Sequence, residues 1–300
     1  MISIYINKKN LLIKIIENFL TIFFNRKKSN LGPTNVFVNL IEGLKCNGIR
    51  FNVNPFNDNN VHDICLVLSG IDHLKKCIVL KKKNKIKTLL AGPNLVTVPS
   101  ENNYIIFSKH INRILVPSFW VKKLYLSYKK NCKNISIWFS GVKVSNFQNN
   151  NGKKVLIYLK NKNIFYDRCI NYLIENNINF QVIKYGSFSQ KKYYQFLKES
   201  RVLIYFSLSE SQGLAMQEAW SKNVPTLVYK QSFLIYGKRK FRSSSSPYLN
   251  KNCGYFFKNF NDFKIKFNQL NNNKRLNPRR WLNKNMSQNI SVKKLLRIIN

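Results

Sequence analysis

Acidic side chains are scarce in this chain: Asp and Glu together number 12 in 300 residues, against 51 Lys and Arg, for a formal charge of +39. With so few carboxylates, a pair of them at an ordered junction is hard to dismiss as ordinary solvated charge. Histidine is scarcer still, and His62, His73 and His110 show no metal-ligand spacing. The six cysteines (Cys46, Cys65, Cys77, Cys132, Cys169, Cys253) are scattered, with no C-x-x-C and no nearby His pair. That excludes a structural zinc and a disulfide framework, and points to reduced thiols in a cytoplasmic protein. No metal site and no cofactor are expected. A long uncharged apolar run is also missing. Leu11 to Phe24 is apolar but holds Lys14, Glu17 and Asn18, and it is too short to span a bilayer. The internal charges and the lack of a small-residue cleavage site argue against a signal peptide. Leu12, Ile15, Ile16, Leu20 and Phe23 recur at helical spacing, with Lys8, Lys9, Arg26, Lys27 and Lys28 at the ends. Two fates fit: a helix packed on the first domain, or an interfacial helix touching lipid.

What is abundant is lysine, asparagine, isoleucine and phenylalanine. An AT-rich coding sequence accounts for Lys over Arg but not for the missing Asp and Glu. A positive surface therefore suits phosphorylated substrates, anionic lipid or nucleic acid. The 44% hydrophobic content and 22 Phe are ample for two cores, and the length suggests two domains of about 150 residues each.

Strand and helix patterns alternate along both halves. Strands are expected at Ile2–Ile6, Ile49–Val53, Ile64–Leu68, Lys87–Leu90, Arg113–Val116 and Ile135–Phe139. A helix carries Phe37, Leu40, Ile41 and Leu44 at i, i+3, i+4, i+7, with Thr34 as its N-cap and Gly48 as its stop. Another spans Phe119–Lys129. The polar run Ser145 to Lys153 reads as a linker. Beyond it come strand Lys154–Leu159, helix Tyr166–Glu175, strand Phe180–Tyr185 and helix Gln190–Glu199. This is a doubly wound α/β pattern.

The densest chemistry lies between 201 and 228. Arg201-Val-Leu-Ile-Tyr-Phe206 is a short apolar run that reads as a buried parallel strand. Ser207-Leu-Ser-Glu-Ser-Gln-Gly213 is the loop after it, and a helix follows from about Gln212 to Lys222 before the strand led by Pro225. Glu210 thus lies at the carboxyl end of a strand, where open α/β sheets bind ligands. Gly213 lets a ligand approach the backbone. The amides of Gly213, Leu214 and Ala215 favour an anion such as a diphosphate. Glu218 sits one or two turns into the helix, displaced by up to about 12 Å along its axis. One carboxylate at the crevice mouth and one deeper suit a ligand with hydroxyls at both ends and phosphate between.

This segment resembles the E-x7-E signature of retaining GT-B glycosyltransferases, the group that includes glycosyltransferase family 4. The resemblance implies a GT-B fold, two Rossmann-like doubly wound domains facing across a cleft, and a nucleotide-sugar donor. By position, Glu210 would hold the donor sugar as the catalytic-site carboxylate and Glu218 the ribose hydroxyls, with Gly213, Leu214 and Ala215 offering amides. Ile114–Val121 and Ile135–Val142 are similar to the end of the amino-terminal domain of such enzymes, and Gly32 in Leu31-Gly-Pro-Thr-Asn35 stands where they place a glycine-containing loop facing the diphosphate. Ser243–Leu249 and Gly254–Phe257 match their variable loop and the strand behind it. Where they carry Arg and Lys for the leaving diphosphate, this chain has Lys160-Asn-Lys162-Asn without the usual glycines, so Lys160 or Lys162 would serve. Their amino-terminal His has no counterpart here, since His110 only precedes a strand.

The expected organisation is an N-terminal domain over 1–145 on the acceptor side, a linker over 146–153 and a nucleotide-sugar-binding domain over 154–277. A C-terminal helix over 278–300 would cross back to the first domain. The expected function is metal-independent retaining transfer of a sugar to a glycan or lipid-linked acceptor in cell-surface polysaccharide synthesis, with peripheral contact to anionic membrane. Two alternatives stand beside it. One is a basic nucleic-acid-binding protein, prompted by Tyr125, Tyr128, Tyr193 and Tyr194 among lysines, although no nucleic-acid motif is visible and no specific nucleic acid is expected. The other is a degenerate GT-B protein that binds sugar-nucleotides without turnover.

Overall fold

Aliphatic runs flanked by helical periodicity bury on both faces only as parallel strands with helices crossing between them. The computed structural model, which describes residues 1–7, 32–144, 152–273 and 275–300, has this architecture twice over. The apolar segment at 11–24 and most of the polar run at 145–153 lie outside the described residues. The described residues divide into two units: 1–7, 32–141 and 288–300 form one, and 142–144, 152–273 and 275–287 the other.

In the first unit, strands β1 (Ile2–Tyr5), β2 (Phe51–Val53), β3 (Ile64–Val67), β4 (Thr88–Ala91), β5 (Arg113–Val116) and β6 (Ile135–Ile137) form one parallel sheet in the order β2-β1-β3-β4-β5-β6. Every residue of β1 is buried, as a central parallel strand requires. Helices α1 (Gly32–Cys46), α2 (Ile71–Lys82) and α3 (Phe119–Leu126) follow in the crossovers. Thr34 is not the N-cap of α1. The helix already includes Gly32 and Pro33, a position that a proline without an N–H fits well, and the Thr34 hydroxyl is buried with no hydrogen-bond partner among the described residues. Residues 127–129, expected to extend α3, do not: the helix stops at Leu126, and Ser127 turns its hydroxyl onto the Leu124 carbonyl at 2.7 Å.

In the second unit, β7 (Lys154–Leu159), β8 (Phe180–Lys184), β9 (Ser200–Phe206), β10 (Thr226–Tyr229) and β13 (Gly254–Phe257) make a parallel sheet in the order β13-β10-β9-β7-β8. An antiparallel hairpin, β11 (Phe233–Tyr236) and β12 (Arg239–Arg242), lies outside it. The helices are α4 (Tyr166–Glu175), α5 (Gln190–Glu199), α6 (Leu214–Ser221), α7 (Phe260–Asn272) and α8 (Pro278–Met286). Val155, Ile157, Val202, Ile204, Leu227 and Phe257 from the sheet bury against Phe263 and Phe267 of α7. Trp220 of α6 meets Trp281 of α8 edge-on at 5.8 Å, and its indole N–H donates to Thr226 Oγ1 at 3.1 Å. The second strand laid down, β8, takes the outer edge, and the third, β9, takes the other side of β7. The chain therefore winds both ways from the β7/β9 boundary, and the carboxyl ends of those two strands mark the place where such a sheet characteristically holds ligands.

The tract from Pro278 on is two helices, not one. After α8 the backbone is extended at Ser287, and α9 (Gln288–Ile299) follows in the first unit. Helix α9 packs on α1 through a glycine. A Cβ on Gly43 would stand 2.8 Å from Val292 Cγ2 and 3.2 Å from the Gln288 carbonyl, so the two helices approach more closely than any side chain would permit. Polar contacts fix the docking: Gln288 Nε2 donates to Glu42 Oε2 at 3.0 Å, Trp138 Nε1 to the Ser291 carbonyl at 3.1 Å, and Ser291 Oγ to the Phe139 carbonyl at 2.6 Å.

Replacing Gly43 by Val should force α9 off α1 and lower stability by about 2 kcal/mol. Gly32→Ala, with nothing within 4 Å of the added carbon, should leave the thermal midpoint unchanged or slightly raised. Thermal unfolding of the two variants side by side checks this.

Candidate active site

Two strands deliver the site. Lys160 is the first residue after β7, and its amide donates to the Phe206 carbonyl at 2.9 Å, which pins it beside the end of β9. Ser207 and Glu210 follow β9 directly. Glu210 is 9% exposed, and one of its oxygens, Oε1, accepts three bonds of 2.9 Å: from Lys160 Nζ, Tyr205 OH and Ser207 Oγ. Its amide donates to the Ser244 carbonyl at 2.9 Å. The carboxylate is thus fixed at the point where the sheet changes winding direction, which is where a doubly wound sheet holds ligands.

Gly213 heads α6 with φ +84°, in the left-handed region that L side chains rarely adopt, and a Cβ there would lie 2.7 Å from Met216 Cε. The helix begins at Leu214, two residues later than its apolar pattern suggests, because Gln212 spends its side chain on the loop: its Nε2 donates to Gln217 Oε1 at 2.9 Å and Gln217 Nε2 returns a bond to the Gln212 carbonyl at 3.2 Å. The amides of Leu214 and Ala215 stand in the first turn, which has no intrahelical acceptors for them. Glu218 lies just over one turn into α6 and is 7% exposed. Burial pushes its carboxyl up to about 7, against hydrogen bonds from Gln190 and Tyr194 and the charge of Lys222, which pull the other way.

Between the two glutamates stands a wall of tyrosines. Tyr158 of β7 stacks on Tyr205 at 4.8 Å and meets Tyr193 of α5 edge-on at 5.7 Å, and Tyr193 OH donates to the Ala215 carbonyl at 2.7 Å. Burial first, then the nearby Glu210 and Glu218 charges, raises the Tyr158 hydroxyl far above its ordinary range, so it stays a neutral donor. Lys222, itself buried, lies 4.7 Å from the Tyr194 ring, and burial lowers its ammonium below the usual lysine range.

Of the residues singled out from sequence, Lys160, Glu210, Gly213, Leu214, Ala215 and Glu218 share this one end of the second unit. Lys162 does not join them: it is exposed and pairs with Asp167 at 2.8 Å. Gly32 belongs to the first unit, at the start of α1. Tyr158, Tyr205, Ser207, Gln190 and Lys222 were not singled out, since each tyrosine looks like an apolar core residue, and Tyr193, noted in the sequence among lysines for the nucleic-acid alternative, faces this site instead. The spacing of Ser207 three residues before Glu210 was the one visible signal. Among the described residues no three His, Cys, Asp or Glu side chains gather as a metal site would need, and no helix is long and apolar enough to cross a membrane.

No protein-family model matches the chain, and no curated protein matches it in sequence. Solved structures do match in shape. The lipopolysaccharide outer core galactosyltransferase WaaB, in its apo form, superposes with a TM-score of 0.59 at 12% identity over 100% of this chain and 99% of its own. Anabaena Alr3699/HepE in complex with UDP and glucose gives 0.60 at 8% identity, over 99% of each chain. WaaG, a glycosyltransferase involved in lipopolysaccharide biosynthesis, gives 0.54 at 10% identity, over 100% of each. The chain has the GT-B fold. At such identities the likeness is one of fold, and the chemistry has to come from the site. Within the GT-B fold described here, Glu210 and Lys160 occupy the winding switch of the second unit, with α6 directly behind it.

Glu218 supplies a test of this local electrostatics. Its folded carboxyl titrates near 7 against an unfolded value of about 4.5, so the folded state holds the proton more tightly. The stabilisation is full below about pH 4.5 and is lost as the pH rises through 7. Glu218→Gln cannot lose it. The variant should gain stability over wild type, by on the order of 2 kcal/mol, between pH 5 and pH 8 in urea unfolding.

Proposed function

We propose that the chain is a retaining glycosyltransferase that moves a sugar from a nucleotide-sugar to a glycan or lipid-linked acceptor in cell-surface polysaccharide synthesis, without a bound metal. The observation that carries this is the Lys160–Glu210 pair at the β7/β9 switch, with the Gly213-headed helix and the buried Glu218 beside it. In this proposal the donor diphosphate meets the amides of Gly213, Leu214 and Ala215 and the Lys160 ammonium. Glu218 accepts from the ribose hydroxyls, and Glu210 orients the sugar.

Charge develops on the diphosphate as the glycosidic bond breaks, and preorganised amides and an ammonium in a partly dry site stabilise it. Lys160 exchanges Glu210 for the diphosphate when donor arrives, and Tyr205 and Ser207 keep Glu210 in place. That exchange is available because an ammonium on a four-carbon stem is a mobile point charge. Lys162 would take part only by giving up Asp167. Support for the donor class comes from HepE, whose structure holds UDP and glucose, and support for the acceptor class from the lipopolysaccharide roles of WaaB and WaaG.

Calorimetry with UDP, GDP, dTDP, ADP and a random DNA duplex near physiological salt tests the proposal. One nucleoside diphosphate should bind saturably, and Glu218→Ala should weaken it at least about tenfold, the loss expected for hydrogen bonds to a charged group. Tight, salt-sensitive DNA binding without nucleotide preference would overturn it. Once the base is known, Lys160→Ala should lower turnover of the matching nucleotide-sugar by about 100-fold or more, with a smaller change in KM. Added chelator should leave turnover unchanged.

A further inference from the structure

The β11–β12 hairpin of the second unit has an outward face that is both apolar and cationic. Its register pairs Phe233 with Arg242, Leu234 with Phe241, Ile235 with Lys240 and Tyr236 with Arg239. Residues directly opposite share a face. Leu234 and Phe241 therefore point the same way, and Phe241 is buried at 7% exposure, so this is the side that packs on the body. The other side carries Phe233, Ile235, Lys240 and Arg242. Ile235 is 72% exposed and Phe233 is 42% exposed, and Lys240 Nζ lies 4.3 Å from the centre of the Phe233 ring. Gly237, at φ +56°, makes the two-residue turn, with exposed Lys238 beside it.

An isolated two-stranded hairpin is marginal in water, and here its base is clamped. Ser243 N donates to the Ser232 carbonyl at 2.8 Å, Ser245 Oγ to the Tyr229 carbonyl at 2.6 Å, and Glu210 N to the Ser244 carbonyl at 2.9 Å. The same short segment thus holds the hairpin and the Glu210 loop. Charge is one-sided throughout: no Asp or Glu occurs between Glu218 and Asp262, while Lys222, Lys230, Lys238, Arg239, Lys240, Arg242, Lys251 and Lys258 all do.

We propose that this hairpin docks the protein on an anionic lipid bilayer, with Ile235 and Phe233 entering the headgroup boundary and Lys238, Lys240 and Arg242 meeting lipid phosphates. The occupant follows from the alternation itself. A lipid surface offers hydrocarbon and phosphate within a few ångströms of each other, and an exposed Ile gains nothing from a phosphate backbone in water. Docking stands on the hairpin alone. Its use, holding the Glu210 loop over an acceptor at the bilayer, rests on the glycosyltransferase proposal.

Co-sedimentation with phosphatidylcholine vesicles, with and without phosphatidylglycerol, tests it. Wild type should bind only the anionic vesicles. Phe233→Ser/Ile235→Ser keeps every charge and should lose at least about tenfold in vesicle affinity. Lys240→Ala/Arg242→Ala should lose about 25-fold, while Lys191→Ala/Lys192→Ala, exposed cations on α5, should lose far less. Wild-type affinity in the serine variant, or equal losses in the two alanine pairs, would overturn the proposal, since either means diffuse charge alone. So would hairpin variants that lose binding to a DNA duplex but not to vesicles. Unchanged thermal midpoints show that the hairpin variants still fold. Nucleoside diphosphate calorimetry on the same proteins reports the donor site separately: no binding by any of them, wild type included, defeats the glycosyltransferase proposal and leaves the vesicle result standing.

Discussion

A carboxylate shielded from water needs partners, and Glu210 finds three of them on one oxygen, drawn from two strands: Lys160 from the end of β7, and Tyr205 and Ser207 from the end of β9. Five other ion pairs occur among the described residues, and all of them involve more exposed carboxylates. Such surface pairs contribute little. The Lys160–Glu210 pair differs because breaking it would strand a charge away from water. It therefore fixes the relative position of the two loops that follow β7 and β9. The Glu210 amide passes that constraint on to Ser244 and so to the base of the hairpin.

Much of this was legible in the sequence wherever one physical requirement dominated. β5, β7, β13, α4 and α5 run over the residues their patterns suggest, since each of these strands is an apolar run behind a single non-aliphatic first residue (Arg113, Lys154, Gly254), and α4 and α5 each carry one apolar face. Boundaries moved where side chains took backbone partners. Ser127 ended α3 early, and the Gln212–Gln217 pair delayed α6. The C-terminal tract broke at Ser287 because α8 serves Trp220 in one unit while α9 serves Gly43 in the other, which no helical periodicity reports.

The site was half legible. Glu210, Gly213 and Glu218 announced themselves by their place after a buried strand. The tyrosines did not, because their rings satisfy the apolar pattern and only their hydroxyls do polar work. The choice between Lys160 and Lys162 was open in sequence, and the backbone settles their placement. Lys160 continues the β7 ladder onto Phe206, whereas Lys162 is past the strand and meets the start of α4 at Asp167. The hairpin went unread altogether: Phe233–Tyr236 looks like another buried strand, and nothing local says that its partner is the basic segment just after it.

The formal charge of +39 should, on its own, favour every ionised carboxylate and lower its titration point. Glu218 goes the other way, up to about 7, with burial as the largest cause. Screening explains why the local effect wins: at physiological salt a charge is felt over about 8 Å, so most of the surface lysines do not reach α6. Lys222 is close enough and pulls Glu218 down, but its pull is the smallest of the causes acting on that carboxyl, and burial outweighs it. The protein therefore presents two different electrostatic regimes. Outside, cations are dense, uncompensated in number and open to anionic surfaces. Inside, two glutamates lie against neutral tyrosines, Glu210 tied to Lys160 and Glu218 poised to exchange its proton near neutrality.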